Sequence, residues 1–209
     1  PMYDIVLNGG RVMDPESGTD RVVNVGITDG SIQAISAEPL EGRESIDASG
    51  LVVAPGAIDM HSHGQDDENY RVQARDGVTT ALELELGVLD IEKWYGEREG
   101  KALVNFGASV GHIPVRMEVM HDPATEMLPI GDGAYKEASD AQIEEMKELM
   151  HVGLRSGALA MGFGLAYTPL ASRWEALEMF RVAAGYGAAC HVHMRGMGHK
   201  EPMNSIEGL

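Results

Sequence analysis

The spacing of apolar and polar residues changes character near Gly56. Before that point the chain consists of short alternating runs that are separated by glycine, aspartate and proline turns. Gly9-Gly10 ends the first run, and Thr28-Asp29-Gly30 predicts a hairpin between two later runs. The pattern predicts a small β domain of about six strands, at residues 3–8, 11–13, 22–27, 31–35, 45–47 and 51–53.

After Gly56, apolar strand-like runs alternate with helical periodicity. Ser139 with Gln142 and Ser172 with Glu175 have capping-box spacing, so each pair predicts the start of a helix. A passage at 111–138 with three prolines is expected to be irregular. The predicted strands lie at residues 57–63, 78–86, 102–110, 157–163 and 188–194, with helices at 69–75, 90–98, 139–153 and 172–184. Residues 204–209 are expected to begin a further helix.

Five successive βα units predict an α/β fold with a parallel sheet covered by helices. We expect a TIM-barrel (β/α)8 domain at 56–209, of which about the first five units are present, preceded by a β-sandwich-like domain at 1–55. A complete barrel has eight units and typically about 250 residues, so we expect the sequence to be the N-terminal part of a longer protein. An open doubly wound sheet is the alternative.

The net charge bears on the binding partners, and the cysteine content bears on the cellular compartment. The 209 residues carry a formal net charge of −17 and one cysteine, Cys190. Such an acidic chain repels phosphate backbones and anionic lipids, so we expect neither nucleic acid nor membrane as a partner. The single cysteine and the absence of a signal-peptide pattern favour a cytoplasmic protein.

The first predicted barrel strand ends in the pair His61 and His63. Side chains alternate along a strand, so Asp59, His61 and His63 are expected to share a face. Two neutral imidazoles two residues apart on one face can bind a single metal ion, typically zinc. The spacing therefore predicts a metal site at the end of this strand.

Two other strands carry residues that could complete such a site. Glu83 and Glu85 share one face of the second strand, where a divalent metal would compensate their burial. Glu85 is nearer the strand end and is preferred as the ligand, with Glu83 as the alternative or as a hydrogen-bond partner of a ligand. The fifth strand presents His193 on the face that includes His191 and Arg195. His112, His121, His151 and His199 have no assigned role.

The segment Ala-Pro-Gly-Ala-Ile-Asp-Met-His-Ser-His at 54–63 resembles the amidohydrolase superfamily. Other segments are similar, in the same order, to its N-acyl-D-amino-acid deacylase (D-aminoacylase) branch, and together they span essentially the whole chain. These segments are Gly77-Val78-Thr79-Thr80, Val110-Gly111-His112, residues 162–169 and Val192-His193-Met194-Arg195.

The resemblance implies a hydrolase of carbon–nitrogen bonds that uses one or two Zn²⁺ ions. His61 and His63 match ligands of one metal position, and His193 matches a ligand of the second. Tyr167 and Arg195 resemble groups that bind the substrate carboxylate or polarise its carbonyl. The deacylases carry a cysteine ligand after the second strand, whereas this chain has Leu84-Glu85-Leu86-Gly87, so a second-strand glutamate is expected as the bridge.

The activity implied is deacylation of N-acyl-D-amino acids by metal-bound hydroxide. The family's catalytic aspartate comes from the eighth strand, so the general base is expected beyond residue 209. Two alternatives remain open: a cyclic-amide hydrolase similar to dihydroorotases and hydantoinases, and a non-catalytic scaffold that keeps the fold. The expected partner is a small acylated amino acid, and homo-oligomerisation through exposed sheet edges is left open.

Overall fold

The computed structural model describes residues 2–196, and the expected helix start at 204–209 and His199 lie outside them. The chain divides into two compact units, Pro1–Gly56 and Ala57–Leu209. No helix among the described residues is both long and apolar enough to span a bilayer.

The first unit is a five-stranded sheet around a small valine core of Val12, Val23 and Val25. The order is β3-β2-β1-β4, with β5 also paired to β1. β1 pairs antiparallel with β2 and parallel with β4 and β5. The strands are β1 (Met2–Asp14), β2 (Thr19–Thr28), β3 (Ser31–Ser36), β4 (Glu41–Asp47) and β5 (Val52–Val53).

The prediction that Gly9-Gly10 ends the first strand is wrong. β1 continues through both glycines, and its register with β2 shifts between Leu7 and Gly10. Gly9 has φ +68°, and its N–H donates to Asn24 Oδ1 at 2.9 Å, so a bulge takes up the extra residue without ending the strand. The hairpin prediction is confirmed, because Asp29 and Gly30 both have positive φ and join antiparallel β2 and β3.

The second unit is a parallel five-stranded sheet with the order β10-β9-β8-β7-β6. A doubly wound sheet reverses its strand order at a switch point, whereas this order is sequential, as in a (β/α)8 barrel. The strands are β6 (Ala57–Asp59), β7 (Val78–Val88), β8 (Asn105–Gly111), β9 (Ala160–Gly164) and β10 (Ala189–His193). The predicted fold class is confirmed.

Among the described residues, six helices connect these strands. The apolar faces of α2, α3, α5 and α6 form a core with the sheet that includes Val110, Met146, Phe163 and Met179, whereas Tyr70 of α1 packs in a separate cluster with Ala81 and Val104. They are α1 (Asp67–Arg75), α2 (Ile91–Arg98), α3 (His112–Val119), α4 (Asp132–Tyr135), α5 (Asp140–Arg155) and α6 (Arg173–Tyr186), with a 3-10 turn at Leu165–Tyr167. The Ser139–Gln142 capping box at the start of α5 is confirmed.

α3 was not predicted, because Pro114 suggested an irregular chain. Pro114 is the third residue of this helix, where its missing N–H has no intrahelical acceptor in any case. The expectation of an irregular passage throughout 111–138 is therefore wrong for α3 and for the short α4.

β7 contains a bulge near its carboxyl end. Glu83 pairs with Ala108, and the next pair is Val88 with Val110, so residues 84–87 lie opposite a single residue of β8. Gly87 within this bulge has φ +70°. A Cβ there would lie 2.5 Å from Ser109 Oγ and 2.7 Å from the Gly111 backbone, so glycine is required on both counts.

Candidate metal centre

β6 is shorter than predicted, because regular strand pairing ends at Asp59 and not at His63. The Asp59 carboxylate accepts the His61 N–H at 3.0 Å, so Asp59 caps the strand end. The chain nevertheless stays beside β7, since the Ser62 N–H donates to Leu82 O at 3.0 Å and His61 forms an isolated bridge with Glu83. Both histidines are thereby placed at the carboxyl end of the sheet.

His61, His63 and Glu85 converge on one point. The Nε2 atoms of the two rings lie 2.9 Å apart, and Glu85 Oε2 is 3.3 Å from His61 Nε2 and 3.2 Å from His63 Nε2. Glu85 is buried, whereas the His61 side chain is 62% exposed. The cluster is therefore open to solvent on one side and closed by protein on the other.

His193 contacts the other oxygen of the same carboxylate. Its Nδ1 lies 2.6 Å from Glu85 Oε1, at the end of β10. This contact lacks hydrogen-bond alignment, and Oε1 is buried without a hydrogen-bond partner. Glu85 thus extends one oxygen to the His61–His63 pair and the other to His193, which is the arrangement of a carboxylate that bridges two positions.

Glu83 contacts the outer side of the same cluster. Its Oε2 lies 2.8 Å from His63 Nδ1, and its Oε1 accepts the Gly87 N–H at 3.3 Å. Glu83 and Glu85 are both buried. Among residues 2–196, no lysine or arginine forms a salt bridge with either carboxylate.

The donor set fits a divalent cation. His61 Nε2, His63 Nε2 and Glu85 Oε2 form a triangle with sides of 2.9, 3.2 and 3.3 Å. Ligand atoms at 2.0–2.1 Å from a tetrahedral zinc ion are roughly 3.3 Å apart. Glu85 Oε1 is buried without a hydrogen bond, and neither buried carboxylate has a lysine or arginine partner among the described residues. Such buried charge is costly unless a cation compensates it.

Tyr167 lies beside His193, and Arg195 contacts the segment that follows Tyr167. The Tyr167 ring, in the 3-10 turn after β9, lies with its centroid 5.0 Å from that of His193. The Arg195 guanidinium donates from Nη1 to Pro169 O at 3.1 Å and from Nη2 to Ala171 O at 2.7 Å. Arg195 therefore holds the segment that follows Tyr167, and two of its nitrogens are engaged by the backbone.

Cys190 and His191 lie on β10 but outside the cluster around Glu85. Cys190 packs with Val192 against the helix-covered core, as expected from strand alternation, and burial raises the pKa of its thiol. His191 is half-buried in β10 next to these residues. Neither belongs to the group of donor atoms around Glu85.

A second cluster that pairs histidine with glutamate was missed by the sequence analysis. His112 Nε2 lies 2.7 Å from Glu175 Oε1, and the Arg116 guanidinium pairs with Glu175 Oε2; all three side chains are fully buried. Ser172 Oγ does accept the Glu175 N–H at 3.0 Å, but the carboxylate turns into the core, so the predicted capping box is only half formed. The spacing of His112 and Arg116 by one helical turn was the available signal.

Comparison with known proteins agrees with this architecture. A D-aminoacylase of Alcaligenes xylosoxydans xylosoxydans is 29% identical over 94% of this chain and 45% of its own length. A dihydroorotase of Streptococcus pneumoniae is 32% identical over 80% of this chain and 37% of its own length. The chain thus spans less than half the length of these curated relatives.

A solved structure supports the fold. The N-acyl-D-glutamate deacylase of Bordetella bronchiseptica, complexed with zinc and a phosphonate inhibitor, superposes with a TM-score of 0.75 at 24% identity. The superposition covers 94% of this chain and 46% of that protein. The model of the amidohydrolase family matches residues 44–174. This span includes His61 and His63 and the β7 carboxylates of Glu83 and Glu85. The chain belongs to the amidohydrolase family.

Proposed function

We propose that this protein hydrolyses an amide bond with the help of divalent metal, and that its substrate is an N-acyl-D-amino acid. The observation that carries the proposal is the Glu85 carboxylate, which is buried between the His61–His63 pair and His193 with no lysine or arginine partner among residues 2–196. Family membership and the D-aminoacylase relative support the reaction class and the substrate.

The ligand roles follow from the contacts. His61 Nε2, His63 Nε2 and Glu85 Oε2 would hold one ion, and His193 Nδ1 with Glu85 Oε1 would contribute to a second. A bound zinc ion supplies Lewis acidity, which lowers the pKa of a coordinated water to about 7 and polarises an amide carbonyl. The exposed side of His61 is where a substrate carbonyl has access.

Two further residues are proposed to orient the substrate. The Tyr167 hydroxyl would donate a hydrogen bond to the substrate, because its ring lies beside His193. The guanidinium of Arg195 keeps N–H groups beyond those that bind Pro169 and Ala171, and these would attract a substrate carboxylate. The general base, an aspartate in the family resemblance, is proposed to lie outside these 209 residues.

The second candidate function is hydrolysis of a cyclic amide. The dihydroorotase relative, at 32% identity over 80% of the chain, specifically favours it. Both candidates need the same metal cluster, so the two differ in substrate and not in the ligands proposed here.

A substrate panel on the intact gene product separates these functions. N-acyl-D-amino acids, their L-enantiomers, dihydroorotate and hydantoins are each incubated with enzyme loaded with zinc, and released amine or opened ring is measured. We expect turnover of the D-series. Turnover confined to cyclic amides would favour the second candidate. Protein that binds no divalent metal by elemental analysis would contradict both and leave a non-catalytic scaffold.

A further inference from the structure

The Glu83 carboxylate has a distinct place beside the cluster. It contacts His63 at Nδ1, whereas the three donor atoms that converge are His61 Nε2, His63 Nε2 and Glu85 Oε2. Glu83 therefore lies on the far side of the His63 ring from the candidate metal position. From this geometry we propose that Glu83 is a positioning residue, which fixes the proton of His63 on Nδ1 and leaves the Nε2 lone pair for the metal. The inference rests on the proposed metal centre.

The chemistry of imidazole supports this role. A neutral ring has one N–H donor and one acceptor nitrogen, and a carboxylate can only accept. At 2.8 Å from Glu83 Oε2, Nδ1 must be the donor, so Nε2 is the acceptor. A carboxylate on the remote nitrogen orients the ring and raises the basicity of the nitrogen that binds metal.

Glu83 is itself held rigidly. Its other oxygen accepts the N–H of Gly87, a residue that glycine alone can occupy within the β7 bulge. The carboxylate is also buried, whereas the His63 side chain is 32% exposed. The bulge thus places Glu85 at the cluster and Glu83 behind it with the same stretch of backbone.

The three histidines of the cluster differ in whether a carboxylate contacts their outer ring nitrogen. Among residues 2–196, neither His61 nor His193 has a carboxylate on the ring nitrogen that points away from the cluster. His63 is therefore the imidazole whose tautomer is set before metal arrives. The proposal predicts a tautomer in the metal-free protein, which can be measured without any activity.

The first test is long-range ¹H–¹⁵N NMR of the metal-free protein at pH 8. We expect the His63 ring to carry its proton on Nδ1, with an unprotonated Nε2, and to lose this preference in Glu83→Ala. A His63 ring with protonated Nε2 in the wild type would overturn the proposal. This result is independent of whether the protein binds metal, so it separates failure of the inference from failure of the proposed function.

The second test is zinc titration of Glu83→Gln, which preserves shape and removes the charge. We expect an affinity about 10–100-fold weaker with unchanged stoichiometry, because a group beyond the ligands tunes affinity without binding the ion. Glu99→Gln, an exposed site with the same change of charge, is the control and should leave the affinity unchanged. Unchanged affinity in Glu83→Gln, or the loss of a bound ion, would overturn the proposal.

Discussion

Two clusters in the barrel unit pair imidazole with a buried glutamate, and they differ in what neutralises the carboxylate. In the buried cluster of His112, Arg116 and Glu175, the guanidinium supplies the counter-charge. In the candidate metal centre around Glu85, the described residues provide histidines only, and one side is open to solvent.

This difference separates a structural cluster from a candidate functional one. Arg116 also donates from Nε to Gly133 O at 2.7 Å and pairs with Lys136 O, so the buried cluster ties α3, α4 and α6 together. The cluster around Glu85 joins β7 to the end of β10 and to the segment after β6. Its Glu85 Oε1 is buried without a hydrogen bond, as is His112 Nδ1 in the buried cluster. Both clusters therefore hold one buried polar atom without a hydrogen bond, and the guanidinium is what distinguishes them. A buried carboxylate that is paired with arginine already has its counter-charge, whereas one without lysine or arginine among the described residues is a candidate ligand for a cation.

The largest effect is expected from breaking the buried cluster. Glu175→Gln leaves the Arg116 guanidinium buried without a counter-ion and should lower the free energy of unfolding by about 3–5 kcal/mol. Urea denaturation followed by circular dichroism measures this loss. Glu178→Gln on the same helix is the matched control. Its partners Lys147 and Arg181 remain partly exposed to water, so the loss should be much smaller. Equal losses in the two variants would contradict the structural role.

The corresponding substitution in the metal centre should not lower the free energy of unfolding of the metal-free protein. Glu85→Gln removes a buried charge that has no lysine or arginine partner among the described residues, so the metal-free variant should unfold at a urea concentration no lower than the wild type. Its zinc affinity should fall by at least about 100-fold, since a ligand itself is lost. Marked destabilisation of the metal-free variant, with zinc affinity intact, would show that Glu85 is structural.

The β7 bulge offers an intermediate test. Gly87→Ala forces a side chain at φ +70° against Ser109 and Gly111, with an expected cost of about 1–3 kcal/mol, and should also weaken zinc binding by displacing Glu83 and Glu85. Gly50→Ala is the control, because Gly50 has φ +78° with open space around it. If both variants bind zinc as the wild type does, the bulge does not set the site.

The smallest effect is a pH dependence of stability from Glu175. Burial alone would raise its pKa, but the His112 hydrogen bond and the Arg116 charge outweigh burial and hold the pKa below its usual value. The stabilisation is therefore complete above the unfolded pKa, near 4.5, and is lost as the pH falls through the lower folded pKa. Urea midpoints between pH 3 and 7 should fall on acidification less steeply in Glu175→Gln. Parallel curves would contradict this assignment.

Periodicity predicted the barrel-type sheet because apolar runs and turn residues are local signals. The alternation of strands and helices along the chain, the Asp29-Gly30 hairpin and the Ser139 cap all follow from neighbours within a few residues. Positive φ at Gly9 and the place of Pro114 in its helix depend on three-dimensional context that a pattern does not contain. The end of the first strand was therefore misplaced at Gly9-Gly10, and α3 was missed.

In the candidate site, too, local patterns predicted some features and three-dimensional packing determined the others. Alternation along β7 predicted that Glu83 and Glu85 share a face, but the division of their contacts between the two sides of His63 follows from the bulge. Glu175 resembled a helix cap in the sequence, and only the packing of α3 against α6 directs its carboxylate to His112 and Arg116. Long-range pairing between helices is what local patterns could not supply.

Binding of a divalent cation by His61, His63 and Glu85 underlies both the proposed function and the role proposed for Glu83. Isothermal titration of zinc into metal-free wild type, into a His61→Asn/His63→Asn variant and into His151→Asn as the control on α5 tests this directly. We predict saturable binding in the wild type and in His151→Asn, with the site lost when His61 and His63 are both replaced. Equal binding in all three proteins, or none in the wild type, would contradict it.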